Sequence, residues 1–403
     1  MRSISCRSAV RATAASCALA CALLAPAAEA QDKFSVRLGY GVTWDDNVFR
    51  LPDNAPDPEL DRGNSGKSDR FSTASIGFLL NVPVSMQRFL LDVTRAAIRY
   101  EKFSSQDQDP FSYRGAWQWQ LTPRFSGVLS ASRAEIAVNV EDVEGRRRID
   151  QRTTTRAATA DAWIVGGWHL LGAASDSETT YDEPFLARPD TAEKTAEASL
   201  RYIARSNSQV TITRRWTRGT ETVTDDALFG GSDFTVDATE VTATWIASGH
   251  STLHARATRL ERRNEVLPQR DFTGTTGEFR YAWRPTGKLA VDLSASRDIT
   301  PFNISLESTT RVDDTIAAAL VWRIGERTSL LSRASRQKSR YGEVSTLTEA
   351  RRDTTDAIEV GLSWAPHRSI TLDARLRHEE RTSTDPAQVF DANVAGLSFS
   401  FSF

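Results

Sequence analysis

The sequence is nearly devoid of cysteine: three thiols in 403 residues, Cys6, Cys17 and Cys21, all lying before Ala28-Glu29-Ala30. Arg2, Arg7 and Arg11, then an Ala/Leu-rich stretch to Leu24, then that small-x-small site make residues 1–30 read as a secretory signal peptide. Cleavage after Ala30 leaves 373 residues without a thiol. An exported chain of that kind has neither a disulfide framework nor a thiolate metal site. In a competing reading, Leu19-Ala20-Cys21 is a loose lipobox and Cys21 becomes a lipid-modified N-terminus.

Long hydrophobic runs are also missing. Only 40% of residues are hydrophobic, and past residue 30 nothing approaches the ~18 apolar residues of a membrane helix. Net charge is −2 for the chain and −4 after residue 30, from 47 basic and 51 acidic residues, which excludes a polybasic nucleic-acid binder. Lysine is scarce: Lys33, Lys67, Lys102, Lys194, Lys288 and Lys338 stand beside 44 arginines. A planar, permanently charged group suits sugar and carboxylate contacts, and a GC-rich genome produces the same excess.

What the sequence does have is period-two alternation. Phe34, Val36, Leu38, Tyr40, Val42 and Trp44 share one parity, with Ser, Arg, Gly, Gly and Thr on the other. The C-terminus repeats this with Ala395, Leu397, Phe399, Phe401 and Phe403 against Gly396, Ser398, Ser400 and Ser402. In all, the pattern predicts strands near 34–44, 71–82, 89–101, 111–121, 125–137, 154–169, 171–181, 194–205, 209–218, 235–246, 252–261, 273–283, 289–298, 311–323, 328–338, 354–364, 370–379 and 391–403. Tight turns such as Thr122-Pro123-Arg124 and Gly325-Glu326-Arg327 alternate with long polar loops, including 45–70, 139–153, 182–193, 219–233, 299–310 and 380–390. One turn, near Leu170, is poorly defined, and parities near 89–101, 171–181 and 209–218 do not separate cleanly.

Such a meander fits a soluble propeller or an outer-membrane barrel. Tryptophan decides between them. Trp119, Trp168, Trp245, Trp283, Trp322 and Trp364 lie one to five residues before a predicted tight turn, as in an aromatic girdle at one membrane interface. The stripes Ile316-Ala318-Leu320-Trp322 and Ile358-Val360-Leu362-Trp364 oppose polar parities, the apolar-out, polar-in pattern of a membrane barrel. The expectation is an all-β, transmembrane, antiparallel up-and-down barrel of about eighteen strands (16–18) over residues 31–403, in the outer membrane of a Gram-negative cell. Tight turns and both termini would be periplasmic, long loops outside, and the first strand would pair with the last. Gln31, Asp32 and Lys33 alone precede the first strand, so no N-terminal plug domain is expected.

Catalytic chemistry is hard to find. His169, His250, His254, His367 and His378 have no Cys or carboxylate at ligand spacing, and His250 and His254 on one strand face would stand about 13 Å apart. No enzyme, metal or cofactor is expected. The acidic loop 45–70, with Asp45, Asp46, Asp53, Asp57, Glu59, Asp61 and Asp69, lacks ordered calcium-ligand spacing and reads as a solvated loop. Arg146-Arg147-Arg148 could meet lipopolysaccharide phosphates or simply pair with Glu141, Glu144 and Asp150.

Lumen parities carry Arg37, Arg201, Arg205, Arg256, Arg280, Arg323, Arg333, Arg375 and Arg377, interspersed with Glu240, Glu278, Asp292, Asp313, Glu359 and Asp373. These line a water channel as candidate sugar contacts, or pair with one another and stiffen the wall. No loop stands out as an inward-folded constriction of the porin type.

The stretch Gly39-Tyr40-Gly41-Val42-Thr43-Trp44-Asp45-Asp46-Asn47-Val48-Phe49-Arg50-Leu51-Pro52-Asp53 resembles the start of the EpsL family. Gln87-Arg88-Phe89, Tyr100-Glu101-Lys102-Phe103, Trp117 through Arg124, and Gly167 through Gly172 extend the resemblance, which spans the mature chain and is strongest before residue 175. Members are outer-membrane barrels associated with exopolysaccharide biosynthesis and export in bacteria with the exosortase system. The resemblance therefore implies a conduit, or channel component, for an extracellular polysaccharide, and brings no catalytic residues. A general or sugar-selective diffusion porin is the alternative. Expected partners are outer-membrane lipid and lipopolysaccharide, the outer-membrane assembly machinery through the strand ending at Phe403, the exopolysaccharide, and periplasmic export proteins. N-terminal sequencing of the mature protein should begin at Gln31, and thiol reagents should label nothing; a lipidated Cys21 would refute the cleavage site.

Overall fold

The computed structural model describes residues 33–56, 66–138, 148–182, 189–222, 232–266, 268–305, 308–343 and 350–403. The expected signal peptide, together with Asp57, Glu59, Asp61, Arg146 and Arg147, lies outside them.

Eighteen strands run in chain order: β1 (Phe34–Asp45), β2 (Asp69–Val84), β3 (Gln87–Tyr100), β4 (Phe111–Thr122), β5 (Phe125–Ala137), β6 (Asp150–Val165), β7 (Trp168–Tyr181), β8 (Asp190–Ile203) and β9 (Gln209–Thr222), then β10 (Ser232–Ser248), β11 (Ser251–Asn264), β12 (Phe272–Trp283), β13 (Leu289–Ser305), β14 (Ser308–Arg323), β15 (Thr328–Glu343), β16 (Arg352–His367), β17 (Ile370–Ser383) and β18 (Phe390–Ser402). Each pairs antiparallel with its sequence neighbours, and β1 pairs with β18, so the sheet closes on itself. In the closing seam Arg37 lies opposite Ser402 and Trp44 opposite Ala395. Val36 and Phe403 also exchange backbone hydrogen bonds of 2.8 and 3.1 Å. Eighteen strands spaced ~4.8 Å and tilted ~40° make a wall about 36 Å across.

Every even-to-odd connection from β2–β3 to β16–β17 has two to five residues, the up-and-down meander that alternation predicts. Strands β8, β9, β15 and β17 run about four or five residues beyond that reading on the loop side, and two boundaries depart from it more. The turn placed near Leu170 lies at Gly166-Gly167, so Trp168 opens β7 instead of closing β6. Trp163-Ile164-Val165 and Trp168-His169-Leu170 make an almost continuous apolar run that hides the turn, while Gly166 takes a φ of 57°, open to glycine. The loop drawn at 299–310 is mostly strand: β13 reaches Ser305 and β14 starts at Ser308, with a register shift between Pro301 and Ser305.

Inside and outside follow from curvature. On the concave face side chains converge, and there Arg37 on β1 reaches Asp92 on β3, while Arg201 on β8 reaches Asp161 on β6, each across an intervening strand. The opposite parity is convex and carries the large exposed apolar groups: Leu38, Tyr40, Ile76, Leu170, Ile212, Ile316, Leu376 and Leu397. Soluble folds bury such residues; a lipid-facing wall presents them. Five of the six girdle tryptophans, Trp168, Trp245, Trp283, Trp322 and Trp364, are more than 40% exposed on this face. Trp119 lies flatter, edge-on to Phe125 at 5.1 Å and across from Gly127.

Above this apolar band, toward the loops, the outward face turns charged. Arg133 and Arg152 hold Glu135, Arg214 holds Asp237 at 3.1 Å, Arg297 and Arg340 hold Asp314 at 2.6 Å, and Arg336 holds Asp356 at 2.7 Å. This belt explains the strands whose parities would not separate. Arg95 on β3, Asp176 on β7 and Arg214 and Arg218 on β9 all project outward, at headgroup height instead of into the lumen.

A side chain at Gly127 would collide with the Thr159 carbonyl and the Trp119 ring. Gly127→Leu should therefore destabilise the barrel by about 1–3 kcal/mol, read as a lower urea midpoint in lipid vesicles, with Gly172→Leu, which meets nothing within 4 Å, as the neutral control.

Candidate channel and its mouth

The inward face is built from the strand parity that alternates with the apolar band. Arg37, Arg201, Arg256, Arg280, Glu278, Asp292, Asp313, Arg323, Arg333, Glu359, Asp373, Arg375 and Arg377 all fall on it, by register from Arg37 opposite Ser402 around to Glu359 opposite Arg377. Arg205 does not: it lies in the turn between β8 and β9.

These groups do not act singly. From β8 to β13 a ladder of alternating charge crosses the wall. Arg215 Nε donates to Glu197 at 2.5 Å and approaches Glu240 at 3.9 Å; Arg256 approaches Glu240 at 3.6 Å, Glu278 at 3.7 Å and Asp298 at 4.0 Å; Arg280 clasps Glu278. Thr258 and Thr242 donate to Glu240 at 3.0 and 3.3 Å. Arg256 Nη2 is buried without a hydrogen bond, held within the ladder between Glu278 at 3.7 Å and Asp298 at 4.0 Å. The Arg280 side chain is 56% exposed while Glu278 is 7% exposed, so the guanidinium covers the carboxylate and faces the water.

Nearer the turns, Asp161 accepts from Arg201 and from His169 Nδ1 at 2.8 Å. Asp292 is held by Arg284 of the preceding turn at 2.9 and 3.0 Å, which pins it at the turn-side rim. Across the barrel, Asp313 accepts from Ser339 at 2.6 Å and Arg311 at 3.0 Å, and Arg377 donates to Glu379 at 3.0 Å. Arg333 and Glu359 stand opposite each other in register, with no ion pair within 4 Å among the described residues.

Glu197, Arg215, Asp161 and Asp298 are part of this wall and were not legible from alternation. On β9, Arg214, Arg215 and Arg218 occupy both parities, so neither face reads as polar alone. Cross-strand register is the signal that places Arg215 inward: it stands opposite Glu197 on β8, and its parity neighbour Thr213 stands opposite Glu240 on β10.

At the loop end one loop does fold inward, although nothing in the sequence singled it out as a constriction. After β1 the chain turns back over the mouth, and Phe49 is completely buried against Phe103, ring centroids 4.8 Å apart. Asn47 Nδ2 donates to the carbonyls of Leu51 and Asp391 at 2.8 and 2.9 Å. Arg50 Nη1 donates to both Asp45 oxygens at 2.9 and 3.0 Å, and its guanidinium lies over the inward-facing Phe390 ring, which Arg381 also covers. Arg50 has a φ of 52°, a left-handed backbone that costs a non-glycine residue about 1–3 kcal/mol and persists because these contacts hold it. Asp69 completes the arrangement by accepting the backbone N–H groups of Lys102 and Phe103. Of the acidic loop residues described, Asp45 and Asp69 thus serve this folded turn and Asp46 accepts from Asn393 at 2.7 and 2.8 Å. Arg148 pairs with Asp150. Among the described residues, no three His, Cys, Asp or Glu side chains are grouped to hold a metal ion.

A closed eighteen-strand barrel with an apolar exterior, a charged interior and an inward-folded loop is the architecture of an outer-membrane porin. No protein-family model and no curated protein matches the chain. Solved structures do match in fold. OpdK of Pseudomonas aeruginosa, determined with vanillate, is 9% identical at a TM-score of 0.52, covering 92% of this chain and 99% of that one. OccK2 (OpdF) of the same organism, in complex with glucuronate, is 10% identical at 0.52 over 92% and 98%. A BenF-like porin from Pseudomonas fluorescens Pf-5 is 9% identical at 0.50 over 92% and 99%.

Truncating a buried Phe to Ala costs about 3–5 kcal/mol in a core, enough to undock a short loop. Phe49→Ala should give faster protease nicking near Asn47–Pro52 and higher single-channel conductance; conductance equal to wild type would refute a mouth-narrowing role.

Proposed function

We propose that the protein is a passive outer-membrane channel, not an enzyme, and that its cargo is an extracellular polysaccharide leaving the cell. The observation that carries this reading is the ladder from Glu197 through Arg215, Glu240, Arg256 and Glu278 to Arg280, an unbroken polar track on the inner wall. Guanidinium and carboxylate groups in alternation offer donors and acceptors to sugar hydroxyls, and they trade partners as a chain slides past without holding it in one register. The EpsL-like opening motif supports the same cargo. Its residues Asp45 to Pro52 form the turn at the outer mouth, where an emerging polymer would pass.

Diffusional uptake of small acids is the second reading. It is favoured by the inward-folded turn and by exposed Arg333 on the lumen wall, a cation suited to carboxylates such as the glucuronate bound in OccK2.

In a planar bilayer the purified protein should conduct salt, and an acidic polysaccharide added on the turn side should block the current. Arg256→Gln with Arg333→Gln should weaken that block by roughly a hundredfold or more, since each lost charge-assisted hydrogen bond contributes roughly 1.5–3 kcal/mol. Deletion of the gene should abolish or sharply reduce secreted polysaccharide. Unchanged secretion together with rapid liposome entry of glucuronate would overturn export in favour of uptake.

A further inference from the structure

The lipid-facing wall carries a groove with an unneutralised cationic edge. A concavity of about 1260 Å³ runs from β4 to β10 between two rows of outward side chains. The lower row is apolar and mostly small: Ala158, Ala174 and Ala196 stand opposite one another on β6, β7 and β8, with Trp117 and Trp216 as end walls. From β4 to β9 this floor extends about 24 Å at ~4.8 Å per strand, room for an extended acyl chain.

One step nearer the loops, the next row reads Arg156, Asp176, Lys194 and Arg218, each opposite the next. Three cations meet one carboxylate, and Lys194 faces Arg218 directly, a like-charge pair that destabilises a sheet unless an anion joins it. Among the described residues none of the three cations has an ion pair, whereas Arg214, Arg297 and Arg336 elsewhere in the belt each engage a carboxylate.

We propose that this groove binds an acylated glycolipid bearing a phosphomonoester, of the lipid A type. One acyl chain covers the Ala158-Ala174-Ala196 floor, and a phosphate sits between Arg156, Lys194 and Arg218. The occupant follows from charge and position. The row's surplus of two positive charges matches one phosphomonoester, which carries roughly −1.5 to −2, and its place on the loop side of the apolar band is the headgroup level of the outer leaflet. A glycerophospholipid supplies one phosphate charge and leaves part of the row unanswered. The inference concerns the outer wall and is independent of what the lumen carries.

The test uses the full mature barrel in mild detergent, titrated with lipid A, its monophosphoryl form, phosphatidylglycerol and inorganic phosphate, with bound species counted by native mass spectrometry. Wild type should bind lipid A and its monophosphoryl form and prefer both over phosphatidylglycerol and inorganic phosphate by roughly tenfold or more. The combined Arg156→Gln, Lys194→Gln, Arg218→Gln variant should lose that preference, and Ala174→Trp should lose it with the cations intact. Arg336→Gln should keep it. Heat-dependent gel mobility confirms that each variant is folded. Equal binding of phosphatidylglycerol, full affinity for phosphate alone, undiminished lipid A binding by both groove variants, or cysteine cross-links between Ala174→Cys chains placing a second copy in the groove would each overturn the proposal.

Discussion

Closure is the constraint on which everything else rests. In hydrocarbon an unpaired backbone N–H or C=O has no water to bond, so a strand-built membrane protein has to leave no edge. The seam from Arg37–Ser402 to Asp45–Val394 removes the two edges an eighteen-strand sheet would otherwise expose. Once the ring is closed, strand pleating sends alternate side chains to two unlike solvents, and each face is free to satisfy its own. The low overall hydrophobicity is then no paradox, because only alternate residues over part of each strand need to match lipid.

Curvature divides the charged residues into two kinds. On the concave side they converge, so that one guanidinium such as Arg256 lies near three carboxylates from three strands. On the convex side neighbours splay apart, and pairing is confined to adjacent strands, as with Arg297, Asp314 and Arg340. The abundance of arginine therefore has two structural homes, the inner ladder and the outer belt, only the first of which alternation revealed. Inner pairs are partly shielded and hold a polar track; outer pairs are exposed, contribute little to stability, and mark where the membrane interface lies.

Where residues obeyed a single solvent on each face, sequence alone was enough. β1 alternates without interruption, as do Ile316–Trp322 of β14, Ile358–Trp364 of β16 and Ala395–Phe401 of β18, and the girdle tryptophans sit close to the turns because amphipathic rings favour that interface. Legibility failed where a third environment intervened. The outer belt placed charges on the lipid parity of β3, β7 and β9, erasing the contrast on which the assignment depends. It failed again at Asp45–Pro52, where the acidic residues looked solvated but Asp45 is consumed by Arg50 and Phe49 is sealed against Phe103. No periodicity announces such a turn, since its contacts come from the segment just after β3 and from β18, distant in sequence.

The outward apolar stretch is uneven around the ring. On β2 it runs unbroken through Val84, Val82, Leu80, Phe78, Ile76 and Ala74, while on β15 it is limited to Leu330, Ser332 and Ala334 before Arg336 begins. Three fewer outward positions shorten the greasy wall by about 15 Å for a strand tilted ~40°. A bilayer of uniform thickness cannot match both sides. The barrel must lean, or the lipid beside β15 must thin, so that hydrophobic mismatch gives this protein a preferred orientation in the plane and a soft, compressible patch of membrane along one flank.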